Sequence, residues 1–277
     1  MVAGSHLGGH EPGAGINGGV IMKMMRGCIT LFLLLAAWLV AVPASSYAGE
    51  KGPTPLEILE RADDHWDLSL KNALVDFEFA VYRGGELRTT YKMRLKYRDN
   101  YHVLVETLYP PRNEGEKMLQ AGRKNYWLFL PNINKAVKVS ESNSLSNSDF
   151  SNTDLLSPRL SGEYTASLVG VEKVRDEEAY KLELLAKSED TPYAKIIYWV
   201  RKSDYAPLRR DYFTFSQQLL KRLDMKSSSL IRSGVPDTFV MSSVLEKDKK
   251  TVLRYLKYTP NVTYREDTFS SESLMKR

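Results

Sequence analysis

Few residues in this sequence have the types and spacing that catalysis needs. His65 and His102 are the two histidines that follow the N-terminal region, and they are far apart with no ligand spacing. Asp63-Asp64-His65 gathers three polar groups, but consecutive residues on a helix point in different directions. That pattern predicts a solvated helix face, not a metal centre. Ser148, Asp149 and Asp154 lack the glycine and terminal Glu of a calcium loop, so loop capping is the expectation. The single Cys, Cys28, excludes an internal disulfide framework and a multi-cysteine zinc site. No G-x-S-x-G elbow and no glycine-rich phosphate loop occurs. Serines crowd 140–161 and 226–233, yet no His stands near them, so a Ser–His pair would have to assemble in space through His102. The expectation is a protein with no catalytic residues, no metal and no cofactor.

What is abundant is bulky apolar and aromatic side chains at strand positions: Phe77, Phe79, Tyr91, Met93, Leu95, Trp127, Phe129, Trp199 and Phe213. Two readings stand beside each other. These residues form an ordinary core, or one concave sheet face lines an apolar pocket with a few polar groups. Periodicity alone does not separate them.

The elements that must position these residues are legible. Thr54-Pro55-Leu56-Glu57 is a helix start, with Thr54 as cap, Pro55 at the first helical position and Glu57 closing a capping box. Leu56, Leu59, Ala62, Trp66 and Leu70 follow at helical spacing. After Asn72 the period becomes two: Val75, Phe77, Phe79 and Val81 alternate with Asp76, Glu78 and Ala80. Gly84-Gly85 turns the chain. Leu87, Thr89, Tyr91, Met93, Leu95 and Tyr97 then alternate with a charged set from Glu86 to Arg98, a half-buried strand with a basic outer face. Tyr101–Leu108 is the next strand, ended by Pro110-Pro111. Further strand-like runs lie near 116–121, 125–130, 135–140, 163–172, 179–187, 193–202, 207–215, 219–227, 238–246 and 251–259. Short strands separated by turn residues mean an antiparallel architecture. Such a sheet must close, stack or curl to hide its inner face, and one strong helix suggests curling around that helix. Residues 141–162 read as a long polar loop with a short helical piece at 151–156, and loops of this length are usually functional. Ser148, Asp149, Phe150 and Asp154 are its candidate mobile residues.

The N-terminal region is a different kind of sequence. Residues 1–21 are Gly-rich with His6 and His10 and no apolar period, an expected disordered extension or expression scar. Residues 22–48 read as a cleaved signal peptide. Lys23 and Arg26 precede an apolar run from Ile29 to Val42, Pro43 breaks it, and Ser46-Tyr47-Ala48 offers small residues at the cleavage positions. The run is short against the ~20 residues of a membrane span. Residues 49–277 are then one exported domain, and the location expected is the periplasm. The net charge of +5, from 39 Lys+Arg against 34 Asp+Glu, is mild. The Lys/Arg stripe at 88–98 with Tyr126, Trp127 and Phe129 nearby has the residue types that stack on bases, but export argues against nucleic acid.

Several segments, in order, resemble the LolA-like outer-membrane lipoprotein-sorting family. Pro111-Arg112-Asn113-Glu114-Gly115 followed by Leu119 resembles its Pro-x-x-x-Gly-x-x-x-Leu stretch. Tyr126-Trp127-Leu128-Phe129-Leu130-Pro131, with Lys135 and Val137 after it, resembles its W-L-Y-L-P…R-V strand pair. Ser148-Asp149-Phe150-Ser151-Asn152-Thr153-Asp154-Leu155 resembles its S-D-F-S-x-x-D-L loop. Tyr198-Trp199-Val200-Arg201-Lys202 with Pro207-Leu208-Arg209-Arg210 resembles its later hairpin. Asn147 stands where the family often has Gly, and Arg201-Lys202 where an acidic residue is common. The resemblance implies a mainly β (α+β) fold: a curled antiparallel sheet forming an unclosed half-barrel, with helices packed on its concave face. It implies a monomeric periplasmic carrier for lipid or lipoprotein acyl chains, with an inner-membrane transporter or outer-membrane acceptor as partner. Arg83 and Arg88 are the neighbourhood candidates for the arginine that gates the family's cavity. The alternative on the same fold is a sensing or interaction module that partners a membrane protein such as an RND-type exporter.

Overall fold

The computed structural model describes residues 52–156, 159–232 and 234–275. The N-terminal extension and signal peptide expected over 1–48 lie outside the described residues.

Thirteen antiparallel strands form one sheet: β1 (Ala73–Arg83), β2 (Glu86–Asp99), β3 (His102–Tyr109), β4 (Lys117–Ala121), β5 (Tyr126–Leu130), β6 (Lys135–Val139), β7 (Tyr164–Val174), β8 (Glu177–Ala186), β9 (Lys195–Arg201), β10 (Pro207–Phe213), β11 (Leu219–Lys226), β12 (Thr238–Ser243) and β13 (Lys250–Thr259). Every strand-like run read from the sequence is present as a strand. The order is β6-β5-β4-β3-β2-β1-β13-β12-β11-β10-β9-β8-β7. The chain winds outward from β1 to one edge, then returns from the other edge until β13 pairs with β1. β6 and β7 are the edges and do not pair, so the sheet is an unclosed half-barrel. Register shifts at Asp76/Phe77, Val81/Tyr82 and Lys92/Met93 interrupt the central ladders. Such bulges bend strands and sharpen twist, which lets a sheet of this width curl.

Helix α1 (Pro55–Leu70) covers the concave face. Its capping box is formed: Glu57 N donates to Thr54 Oγ1 at 3.2 Å, and Thr54 N donates to Glu57 Oε2 at 2.7 Å. The helix buries Ile58, Leu59, Ala62, Trp66 and Leu70. Leu56, expected in that stripe, is instead 49% exposed, because Ile58 occupies the inward position of the first turn. Leu87 is likewise exposed, since the β1–β2 hairpin tip runs beyond the covered part of the sheet.

A second helix, α2 (Asn152–Leu156), lies within the long polar loop, where the short helical piece was expected. The main core is a single cluster joining α1, this loop and the inward residues of nearly every strand. Smaller clusters sit on the convex face. One collects Leu104, Leu119, Phe129, Phe269 and Leu274, covered by 3-10 turns at Glu266–Phe269 and Glu272–Met275. Another collects Val174, Ala179, Trp199 and Leu208.

Candidate functional site

The concave face is the candidate site, and strand period assigns its members. On β1, Val75, Phe77, Phe79 and Val81 point inward; on β2, Tyr91, Met93, Leu95 and Tyr97 do the same. Five sequence candidates therefore converge there: Phe77, Phe79, Tyr91, Met93 and Leu95. The other four do not. On β5 the inward residues are Tyr126 and Leu128, so Trp127 and Phe129 face the convex side and pack with Phe269 and Leu274. On β9 the inward residues are Ile196, Tyr198 and Val200, and Trp199 faces outward, its Nε1 donating to Glu172. Phe213 is half-buried at the end of β10 under the Lys195 ammonium, 4.5 Å from its ring centre. Aromatic size signals burial but not which face is buried, and both faces of this sheet carry apolar covers. That is why the expectation placed these four wrongly.

Two segments cover the concave face. Trp66 of α1 meets Phe239 edge-on at 5.0 Å. Around the helix, Tyr97 Oη donates to Asp67 at 2.7 Å and Tyr258 Oη donates to the Ser69 carbonyl at 2.8 Å. The second cover is residues 140–156. Phe150 packs edge-on against Phe79 at 5.2 Å, and Leu145, Leu155 and Leu156 are buried beside it. Burying each such side chain stabilises by roughly 1.5–3 kcal/mol.

The polar residues of this loop tie it to the sheet. Arg83 Nη1 donates to Asp149 Oδ2 at 2.9 Å, and Thr251 Oγ1 donates to the same oxygen at 2.6 Å. Lys221 Nζ donates to Asp154 Oδ2 at 2.6 Å and to the Asp149 carbonyl at 3.1 Å. Ser151 N and Oγ both donate to Asp154 Oδ2, and Tyr193 Oη donates to Asp154 at 3.1 Å. The Asp154 side chain is 1% exposed and that of Lys221 11%, so this is a buried ion pair. Burial and the neighbouring Asp154 charge hold the Tyr193 phenol protonated, well above its ordinary range. Residues Ser148, Asp149, Phe150 and Asp154, singled out in the sequence, thus all belong to one fastened cover. Of the two arginine candidates, Arg83 reaches this cover, whereas Arg88 pairs with Glu86 on the exposed hairpin.

Beyond the loop, the chain is held to α1. Asp63 is 2% exposed and accepts the backbone N–H groups of Leu160 and Ser161, and Arg159 pairs with Asp64 at 2.8 Å. Burial raises the Asp63 carboxyl above its ordinary value, against the lowering by those amides. The solvated helix face expected at Asp63-Asp64-His65 is thus corrected at Asp63, which is buried because Asp63 and Asp64 tether the chain at Arg159–Ser161 to the helix.

Between the covers and the sheet, a cavity of about 150 Å³ lies among Leu145, Met93, Val105, Met118 and Leu128, and a smaller gap of about 10 Å³ lies among Trp66, Phe150, Leu155, Leu223, Phe239 and Tyr255. The smaller gap is about the room one water needs. An open cavity of about 150 Å³ lies at one end of the half-barrel, with Arg210, Tyr164, Tyr193 and Tyr212 in its wall. Sequence reasoning missed this tyrosine-rich end, and it missed Arg210, which is 4% exposed on β10. The available signal was position: Arg210 shares the inward side of its strand with Tyr212, and pairs across to Tyr198.

His102 is held by Asp99, Nδ1 lying 2.8 Å from Oδ1, and stacks edge-on with Phe269 on the convex side. No serine hydroxyl is bonded to it among the described residues.

A family model described as an uncharacterized protein matches residues 99–276. Among curated proteins, no match was found. Several solved structures are similar. A LolA superfamily protein from Nitrosomonas europaea aligns with TM-score 0.69 and 22% identity, covering 79% of this chain and 98% of that one. A putative outer membrane lipoprotein-sorting protein domain from Vibrio parahaemolyticus aligns with TM-score 0.71 and 21% identity, covering 80% and 98%. A DUF1329 family protein from Desulfovibrio piger aligns with TM-score 0.69 and 22% identity, covering 80% and 100%.

Proposed function

The chain belongs to the family whose model spans residues 99–276 and has the LolA-like fold, and from that premise we propose that it is a periplasmic carrier of lipid or lipoprotein acyl chains. One observation carries this reading. The apolar concave face is covered by a loop that is greasy underneath and fastened by ionic and polar bonds at its margin. The contacts that Phe150, Leu145 and Leu155 make with the sheet are of the same kind an acyl chain makes. Each buried CH₂ of a cargo contributes ~0.8 kcal/mol, so a chain of ordinary length can replace those side chains. The bonds of Asp149 and Asp154 define the closed state that the cargo must displace. Nothing in this cycle requires a covalent step, so the protein holds its cargo and does not transform it. One structural relative is a putative outer membrane lipoprotein-sorting protein domain, which supports transport toward the outer membrane and the periplasm as its place.

Native mass spectrometry after incubation with phospholipid vesicles tests this reading. The expected result is a one-to-one lipid adduct, accompanied by faster protease cleavage within residues 140–156. A protein that never acquires lipid, with that loop equally protected throughout, overturns it.

A second reading is a module that docks a membrane protein. It is favoured by the edge strand β7, whose Leu168, Val169 and Val171 are 42%, 56% and 49% exposed beside unpaired backbone. Such an edge can accept a partner strand. Recovery of one membrane protein through β7, without lipid, would favour it.

A further inference from the structure

We propose that the open cavity at the end of the half-barrel is an oxyanion subsite centred on Arg210 and Thr191. The subsite stands on its own residues; its use for a lipid headgroup rests on the carrier reading above.

Charge pairing around the cavity points to Arg210. Arg123 and Lys124 both face Glu163, at 2.6 and 4.0 Å. Arg159 is engaged by Asp64, and Asp154 by Lys221. Glu141 also lines the cavity, and burial raises its carboxyl above its ordinary value. Arg210 is different. Its Nη2 donates to the Tyr198 phenol at 3.1 Å, and its guanidinium lies 4.5 Å over that ring. Its Nε has no partner. Asp63 lies near enough to act on Arg210 through its charge, but its recorded bonds go to the backbone of Leu160 and Ser161. A buried guanidinium thus stands in a low-dielectric wall with phenols as neighbours and no bonded carboxylate among the described residues.

Thr191 supplies the independent observation. It is 4% exposed, lines the same cavity, and its hydroxyl has no partner. Arg210 and Thr191 are thus two buried polar groups without full partners in one cavity wall, where such groups are normally satisfied. A phosphate or carboxylate offers what both lack, and arginine binds such groups in charge-assisted pairs. The rest of the wall includes Ile196, Tyr164 and Tyr212, which suit the apolar stem attached to such a group. Arg210 also borders the small inner gap beside Trp66 and Phe150. An anion at Arg210 would therefore sit where a chain passes under the loop.

The test compares three probes on the whole protein: dihexanoyl phosphatidic acid, dihexanoylglycerol, and inorganic phosphate alone. The expected result is phosphatidic acid binding about tenfold or more tighter than the glyceride. Arg210→Gln should erase that preference, and Thr191→Val should reduce it about threefold. Equal binding of both lipids by the native protein overturns the subsite while leaving the carrier reading in place. If neither lipid binds, the carrier reading fails, and phosphate decides the subsite: saturable binding weakened about threefold in Thr191→Val supports it for a free anion, and no binding, or binding unchanged in Thr191→Val, overturns it. Should Arg210→Gln not fold, Thr191→Val decides, since it removes a hydroxyl that bonds to nothing; an unchanged preference overturns the subsite.

Discussion

The two faces of this sheet are both aromatic, both apolar and both covered, yet they are covered differently. On the convex face, Trp127 and Phe129 lie under short turns near the C-terminus, and Trp199 lies among strand neighbours with Lys181 and Arg209 near its ring. On the concave face, Phe77, Phe79 and Met93 lie under a helix and a long loop, and the loop's hold depends on a few specific charges. An aromatic strand residue by itself therefore says nothing about ligand binding. On the carrier reading, a cover that packs through apolar side chains and is pinned by ionic pairs would alternate between pinned and released states.

Changes that test this contrast differ in size. The largest effect is expected from Phe79→Asp, which places a carboxylate with no partner in the concave core. It should abolish cooperative unfolding altogether. The matched convex change, Trp127→Ala at a half-buried site, should cost only about 1–2 kcal/mol in urea denaturation and leave lipid binding intact. Loss of lipid binding in Trp127→Ala would break the distinction between the faces.

Lys221→Met is next. It leaves the Asp154 carboxylate buried without its cation, at a cost of ~3–5 kcal/mol. The loss should concentrate in residues 140–156, read as faster cleavage there by a protease. Pairing it with Asp154→Leu should recover much of the loss, because a buried ion pair is often replaceable by apolar groups. No change in loop protection in Lys221→Met would show that the ion pair does not hold the cover.

The smallest effect concerns the C-terminal side. Tyr264 Oη donates to the Ala73 carbonyl at 2.5 Å, and burial pushes its phenol up to about 12. The folded state therefore keeps this proton more tightly than the unfolded chain, whose tyrosines titrate near 10. The stabilisation is complete below pH 10 and is lost as pH rises from about 10 to 12. Tyr264→Phe should flatten part of the alkaline fall in stability, measured by denaturation across that range. An unchanged slope would show that the hydroxyl contributes nothing there.

Much of the fold is legible in the sequence. The capping box at Thr54–Glu57, all thirteen strand runs and the short helix inside the polar loop follow from local rules that act over a few residues. The site was less readable. Period two separates Phe77 from Glu78 because one side of β1 is polar. It does not orient Trp127 against Tyr126, since both sides of β5 are apolar. Pairings such as Arg83 with Asp149 or Lys221 with Asp154 join residues 66 or more positions apart, and no local signal predicts them.

The sequence alone determined the element types and their order, because propensity, capping and alternation are local properties of the chain. Tertiary structure alone decided which apolar face carries the loop, which acids pin it, and that Arg210 ends up buried beside phenols. Those outcomes depend on how the sheet curls and on which side its connecting segments fold back, and that is set by the sum of long-range packing rather than by any one segment.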